Sequence, residues 1–142
     1  MAQVYYVVND TKAGKSYQKV FEESYFQGKK IGETVQGSQL GLAGYELKIT
    51  GGTDFAGIPM LKNIEGQARK ILLLTKGPAV RSTPKKGQRV RRTINGNTIS
   101  PSTAQVNLKV TKYGTKPIPE SLGIQPKEEA KLAEPAAETK KA

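Results

Sequence analysis

Tyr45-Glu-Leu-Lys-Ile-Thr50 alternates apolar and polar side chains without a break. Successive side chains of a β-strand point to opposite faces, so this period of two predicts a strand with one buried and one solvated face. Ala104-Gln-Val-Asn-Leu-Lys-Val110 repeats the same pattern. The two segments therefore predict half-buried strands and a fold built mainly from β-sheet.

Further short segments rich in β-branched, aromatic or aliphatic residues add to these two strands, and helix signals are scarce. The predicted strands are residues 4–8, 16–22, 31–35, 45–50, 70–75, 90–94, 98–100 and 104–110. The segment 4–8 is apolar throughout and predicts a buried strand. The segment 70–75 is the most apolar and is predicted to be central in the sheet.

Turn residues separate these strands. The cluster at 9–15 predicts the turn of a first hairpin, and Asn95-Gly96-Asn97 predicts a type I′ turn of a second, because such a turn needs positive φ at both central positions. Gly51-Gly52-Thr-Asp54 is also predicted to be a turn, with glycines free to adopt positive φ. One helical turn is expected at 22–27.

The predicted fold class is mainly β, a small closed or partly open β-barrel of about six short strands with little helix. A barrel is favoured over a sandwich because closure removes exposed edge strands. Residues 1–113 are predicted to form the domain. Residues 114–142 form a C-terminal extension rich in Lys, Glu and Ala, expected to be partly disordered when free, although segments 117–119 and 122–123 could pack on the domain.

Charge is distributed unevenly along the chain. Residues 1–113 carry 18 Lys and Arg against 7 Asp and Glu, which accounts for the whole net charge of +11. The chain has no Cys and no His, which excludes thiolate and imidazole chemistry and the usual zinc ligands. No signal-peptide core or membrane span is evident. The composition predicts an intracellular protein without enzymatic activity, cofactor, metal or small-molecule substrate.

The strongest functional signal is the basic loop, defined as residues 76–92, which holds seven cations in 17 residues inside a window without acids from Glu65 to Glu120. A solvated charged face is the ordinary explanation of such a run, but a single-signed run favours a polyanion, above all nucleic acid. The loop contains no aromatic residue, so backbone contacts are predicted rather than base stacking. The predicted RNA-binding residues are Arg69, Lys70, Lys76, Arg81, Lys85, Lys86, Arg89, Arg91 and Arg92.

Ile49-Thr-Gly-Gly-Thr-Asp-Phe-Ala-Gly-Ile-Pro-Met60, called the signature below, resembles the signature of the small-subunit ribosomal protein S-six-e family of archaea and eukaryotes. The resemblance continues in order through residues 3–123, including Arg69-Lys-Ile-Leu-Leu73 and Arg91-Arg-Thr-Ile-Asn-Gly-Asn97. The short, neutral tail is similar to the archaeal form and lacks the serine-rich helix of eukaryotic members. Gly51, Gly52, Asp54, Gly57 and Pro59 of the signature are predicted to form a fold-closing loop.

The resemblance implies a structural constituent of the cytoplasmic small ribosomal subunit that acts in translation. Its implied partners are small-subunit ribosomal RNA and neighbouring ribosomal proteins, with no membrane. An extra-ribosomal RNA- or DNA-binding regulatory module is the alternative that the same basic loop allows. Asn95 and Asn97 could add sugar or phosphate hydrogen bonds, although a turn would also explain them.

Overall fold

The computed structural model describes residues 3–22, 24–81 and 85–123. The expectations for the tail beyond residue 123 lie outside these residues. The described part contains seven strands, a short 3-10 helix at Gly37–Leu40 and one α-helix, α1 (Ile118–Leu122). The strands are β1 (Val4–Asp10), β2 (Lys15–Phe21), β3 (Thr34–Gln36), β4 (Glu46–Asp54), β5 (Lys70–Leu74), β6 (Val90–Ile94) and β7 (Thr103–Lys112).

Five of the strands form one sheet in the order β2-β1-β7-β4-β3. Strand β1 runs parallel to β7, and the other neighbours are antiparallel. The predicted alternation is confirmed in β4 and β7, where Leu47, Ile49, Val106 and Leu108 are almost fully buried. The sheet ends in β2 at one side and β3 at the other, so the mainly β prediction is confirmed in its partly open form.

One face of this sheet carries the hydrophobic core. Alternate residues of β1, including Val4, Tyr6 and Val8, pack there, whereas Tyr5 points outward and is 37% exposed. The sequence predicted that strand β1 is buried, but only one of its two faces is buried. Helix α1 adds Ile118 and Leu122 to the same core. The expectation that this segment packs back on the sheet is confirmed.

The predicted first hairpin is present and its turn is held against the end of β7. Tyr113 Oη donates to Asp10 Oδ1 at 2.7 Å and accepts from the backbone N–H of Lys12 at 3.1 Å. Burial acts to raise the pKa of the Asp10 carboxyl, but hydrogen bonds from Tyr113 and the backbone N–H groups of Ala13 and Lys12 outweigh it, so this pKa lies below its ordinary value.

Two local predictions near the first hairpin are wrong. Residues 25–28 form a turn that ends at Gly28 with φ of 77°, and the predicted helical turn at 22–27 does not form among the residues described there. The predicted strand 31–35 is displaced to Thr34–Gln36, because the bend at residues 31–32 places Gly32 N–H against Ile49 O at 2.8 Å.

The turn predicted at the first two glycines of the signature is also wrong. Gly51 and Gly52 lie within β4, in extended conformation, and not in a turn with positive φ. A Cβ atom on Gly52 would lie 2.5 Å from Gln105 O of β7, so this position needs glycine for close approach of two backbones. Gly57, with φ of 75°, forms the turn that follows β4.

Strands β5 and β6 form a separate two-stranded antiparallel sheet. The prediction that residues 70–75 occupy the centre of the main sheet is therefore wrong. The prediction of a hairpin turn at Asn95-Gly96-Asn97 is also wrong, because β6 pairs with β5 and Thr98 pairs with Lys30. A Cβ atom on Gly96 would lie 1.8 Å from Gly66 O, so close packing explains this glycine instead of a type I′ turn.

Candidate nucleic-acid interface

Part of the acid-free window forms a cationic hairpin, called the basic arm below and defined as residues 69–95. Its two strands pair from Lys70 with Ile94 to Leu74 with Val90, and the basic loop, residues 76–92, includes most of their connection and the first three residues of β6. A backbone bridge joins Gly77 and Val80, with Val80 N–H donating to Gly77 O at 3.0 Å. The pairing of β5 with β6 brings cations that are distant in sequence onto one two-stranded unit.

The predicted RNA-binding side chains are all exposed. Within the described part of the chain, the ion pairs found involve no cation of the basic loop. The loop cations therefore gather with their charges uncompensated by nearby carboxylates, which produces a strongly positive local field. These exposed cations are Lys76, Arg81, Lys85, Lys86, Arg89, Arg91 and Arg92.

The register assigns the two arginines of β6 to opposite faces of the arm. Arg91 lies opposite Leu73 and Arg92 lies opposite Leu72, and neighbours along a strand alternate between faces. The two arginine side chains therefore leave the arm from opposite faces. The arm is therefore suited to a ligand that presents negative charge on two sides of it.

Arg69 differs from the other predicted RNA-binding residues because it has a partner within the protein. Its Nε atom donates to Asp54 Oδ2 at 2.8 Å, and a terminal guanidinium nitrogen donates to the same oxygen at 2.5 Å. The Asp54 side chain is 1% exposed and that of Arg69 is 50% exposed. The other carboxylate oxygen accepts the Phe55 backbone N–H at 2.6 Å. Asp54 thus caps the backbone of the next residue and also holds the first residue of the arm.

The last residue of the arm, Asn95, is held by the second half of the signature and the residue that follows it. Asn95 N–H donates to Pro59 O at 3.0 Å, and Leu61 N–H donates to Asn95 O at 3.1 Å. Met60 N–H in turn donates to Gly52 O at 3.0 Å, which connects this contact to β4. The signature therefore contacts the first and last residues of the arm, Arg69 and Asn95, which lie together at its base. This role was missed in the sequence because Asp54 and Arg69 are 15 residues apart and no local pattern pairs them.

Asn95 and Asn97 are buried and not available to a ligand at the surface, with exposures of 1% and 7%. Asn95 Oδ1 accepts the Gly96 backbone N–H at 3.0 Å, and Asn97 Nδ2 donates to Lys62 O at 3.3 Å. Their burial contradicts the suggestion that they bind sugar or phosphate. Both asparagines have a structural role at the base of the arm.

The residues that the structure describes show neither a metal-binding cluster nor a membrane-spanning helix. They include no group of three or more Asp, Glu, His or Cys side chains that could hold a metal ion. None of their helices has the length and apolar character needed to cross a membrane. The fold and the arm together define a small, basic β-sheet protein with a cationic two-stranded extension.

Comparison with known proteins identifies the family. The family model described as Ribosomal protein S6e matches residues 4–123. The small ribosomal subunit protein eS6 of Methanocaldococcus jannaschii is 46% identical over 120 residues, which cover 84% of this chain and 91% of the relative. The protein of the same name from Nanoarchaeum equitans is 48% identical over 115 residues, covering 80% and 85%. The chain belongs to the Ribosomal protein S6e family, which confirms the resemblance found in the sequence.

Proposed function

We propose that this protein is a non-enzymatic structural constituent of the cytoplasmic small ribosomal subunit and that it binds ribosomal RNA through the basic arm. Family membership and the names of its relatives support the ribosomal assignment. The single observation that carries the RNA-binding assignment is the set of seven exposed loop cations with no carboxylate partner in the described structure. Nucleic acid is the polymeric anion whose charge spacing suits such a cluster.

The arginines and lysines of the arm have different roles in this proposal. A guanidinium group presents a planar fork that binds phosphate through two hydrogen bonds, whereas an ammonium group acts as a point charge. Since Arg91 and Arg92 lie on opposite faces, they would contact two RNA backbones that border a cleft. Arg69 contributes mainly by orienting the arm, through its bond to Asp54.

The proposal is tested by co-sedimentation of the purified protein with small subunits depleted of it, in buffer containing magnesium. The test variant replaces Arg89, Arg91 and Arg92 with Ala. We expect the wild-type protein to sediment with the subunit and the triple variant to remain largely free, because it loses three phosphate contacts. Thermal unfolding of the free variant should change little, since exposed substitutions rarely alter stability by more than about 0.5 kcal/mol.

The matched control replaces Lys48, Lys109 and Lys116 with Ala, which removes the same charge from exposed positions outside the arm. This control variant should sediment like the wild-type protein. A wild-type protein that stays free would favour the extra-ribosomal regulatory alternative. A triple arm variant that binds as well as the control would refute the assignment of the arm.

A further inference from the structure

One face of the basic arm is apolar and exposed. The register places Ile71 and Leu73 of β5 on the same face as Thr93 and Arg91 of β6. Ile71 is 65% exposed and Leu73 is 58% exposed, more than any other large apolar side chain in the described part of the chain. Exposed aliphatic residues that cluster on one face of a small protein usually mark a binding surface.

The apolar side chains on the opposite face of the arm are less exposed. Leu72, Leu74 and Val90 on that face are half-buried, and Ile94 at its base is fully buried. The arm therefore has an inner face, whose apolar side chains are partly covered and which also carries the exposed Arg92, and an outer face on which two aliphatic side chains are exposed. We call the outer group, Ile71, Leu73, Arg91 and Thr93, the outer face.

The charge around the outer face selects the kind of partner. Every ionisable side chain from residue 66 to residue 119, apart from tyrosine, is Lys or Arg. A protein segment that covered Ile71 and Leu73 would have to supply several carboxylates to balance these cations. An RNA helix supplies the negative charge along both borders of its minor groove and presents the carbon atoms of its riboses between them. An RNA helix therefore both neutralises the cations and covers the apolar side chains.

We propose that the outer face lies against the wide, shallow minor groove of an RNA helix, with Ile71 and Leu73 in contact with ribose. Thr93, which lies opposite Ile71, offers a hydroxyl group to a ribose 2′-hydroxyl, and Arg91 binds a bordering phosphate. This inference rests on the RNA-binding function proposed above and adds to it the element of RNA that the arm contacts.

The test separates apolar contacts from ionic ones through their salt dependence. Binding of the full chain to full-length small-subunit ribosomal RNA is measured between 50 and 300 mM KCl for a variant with Ile71→Thr and Leu73→Thr. Threonine keeps the strand preference of the site while removing most of its apolar surface. The affinity should fall about 10- to 100-fold at every salt concentration, with an unchanged slope, because no ion pair is lost.

The matched control carries Tyr5→Thr and Val20→Thr, a cross-strand pair on the exposed face of β1 and β2. It should bind RNA as the wild-type protein does. Equal affinity of the outer-face variant and this control would overturn the inference while leaving the ionic function intact. If instead the affinity of the wild-type protein for RNA did not change with salt concentration, the proposed function itself would be overturned.

A second measurement does not depend on the stability of a variant. A photoreactive benzoylphenylalanine at position 73, in assembled small subunits, should cross-link to ribosomal RNA. Cross-linking to a neighbouring protein would show that a protein covers the outer face and would refute the inference. Absence of any cross-link at position 73, with a positive cross-link from position 86 in the basic loop, would show that the face is uncovered and would also refute it.

Discussion

The ion pair between Asp54 and Arg69 gives the sharpest prediction about the base of the arm. Replacing Arg69 with Ala removes both guanidinium bonds to Asp54 Oδ2 and leaves a carboxylate that is 1% exposed with the Phe55 N–H as its remaining donor. A buried ionic partner lost in this way costs about 3–5 kcal/mol. Arg69 is half exposed, so water enters the space it leaves and rehydrates the carboxylate in part.

We therefore expect the Arg69→Ala variant to lose about 2 kcal/mol of unfolding free energy, measured by urea denaturation at neutral pH. For a folded unit of this size the midpoint of thermal unfolding should fall by about 8 °C. The companion variant Asp54→Asn/Arg69→Ala removes the buried charge as well and should recover part of the loss. This recovery is the signature of coupling between the two side chains.

The same variant also tests whether the pair positions the arm. Hydrogen exchange of backbone amides in Lys70–Leu74 should accelerate in Arg69→Ala more than exchange in the central strand Thr103–Lys112, because the residue that precedes β5 loses its anchor. A stability change below about 0.5 kcal/mol, together with unchanged exchange in β5, would refute the view that Asp54 holds the arm.

Two further predictions concern a glycine and a carboxylate. Gly96→Ala should lower the unfolding free energy by more than about 3 kcal/mol in chemical denaturation, since the new Cβ atom would lie 1.8 Å from Gly66 O. Gly57→Ala, with open space around the new Cβ atom, should lower it by only about 1 kcal/mol, because of the positive φ at this position. Equal losses in the two variants would contradict the close-packing argument. The Asp10 carboxyl has a lowered pKa, so its stabilising contribution is complete at neutral pH and is lost as the pH falls from about 5 to about 2. Asp10→Asn should therefore show a flatter dependence of unfolding free energy on pH in that range, and an unchanged slope would contradict the role of Tyr113 and the turn amides.

The parts of the fold that sequence patterns predicted are those in which one local rule suffices. Alternation in Tyr45–Thr50 and Ala104–Val110 correctly gave the buried faces of β4 and β7. The apolar run at 70–75 was misplaced because a continuous run is typical of a strand buried on both faces, yet Ile71 and Leu73 are exposed on a two-stranded arm. Hydrophobicity alone does not distinguish a core strand from a strand whose apolar side chains are exposed.

The glycines show a second limit of sequence-based prediction. Glycine is required either for positive φ or for the close approach of another backbone, and local sequence rarely tells these apart. Gly52 and Gly96 were assigned to turns, but they face Gln105 O and Gly66 O, which belong to distant segments of the chain. Arg69 was likewise grouped with the free cations because its buried partner lies in the signature.

The central claim, that the basic arm binds ribosomal RNA through its cations, is tested most directly by the salt dependence of binding. If about 5–7 phosphates are contacted, the logarithm of the affinity for small-subunit ribosomal RNA should fall against the logarithm of salt concentration with a slope of roughly −4 to −6. Replacing Arg89, Arg91 and Arg92 with Ala should reduce the magnitude of this slope by about 2–3, in proportion to the contacts removed. A wild-type slope near zero, or an unchanged slope in the triple variant, would contradict the claim.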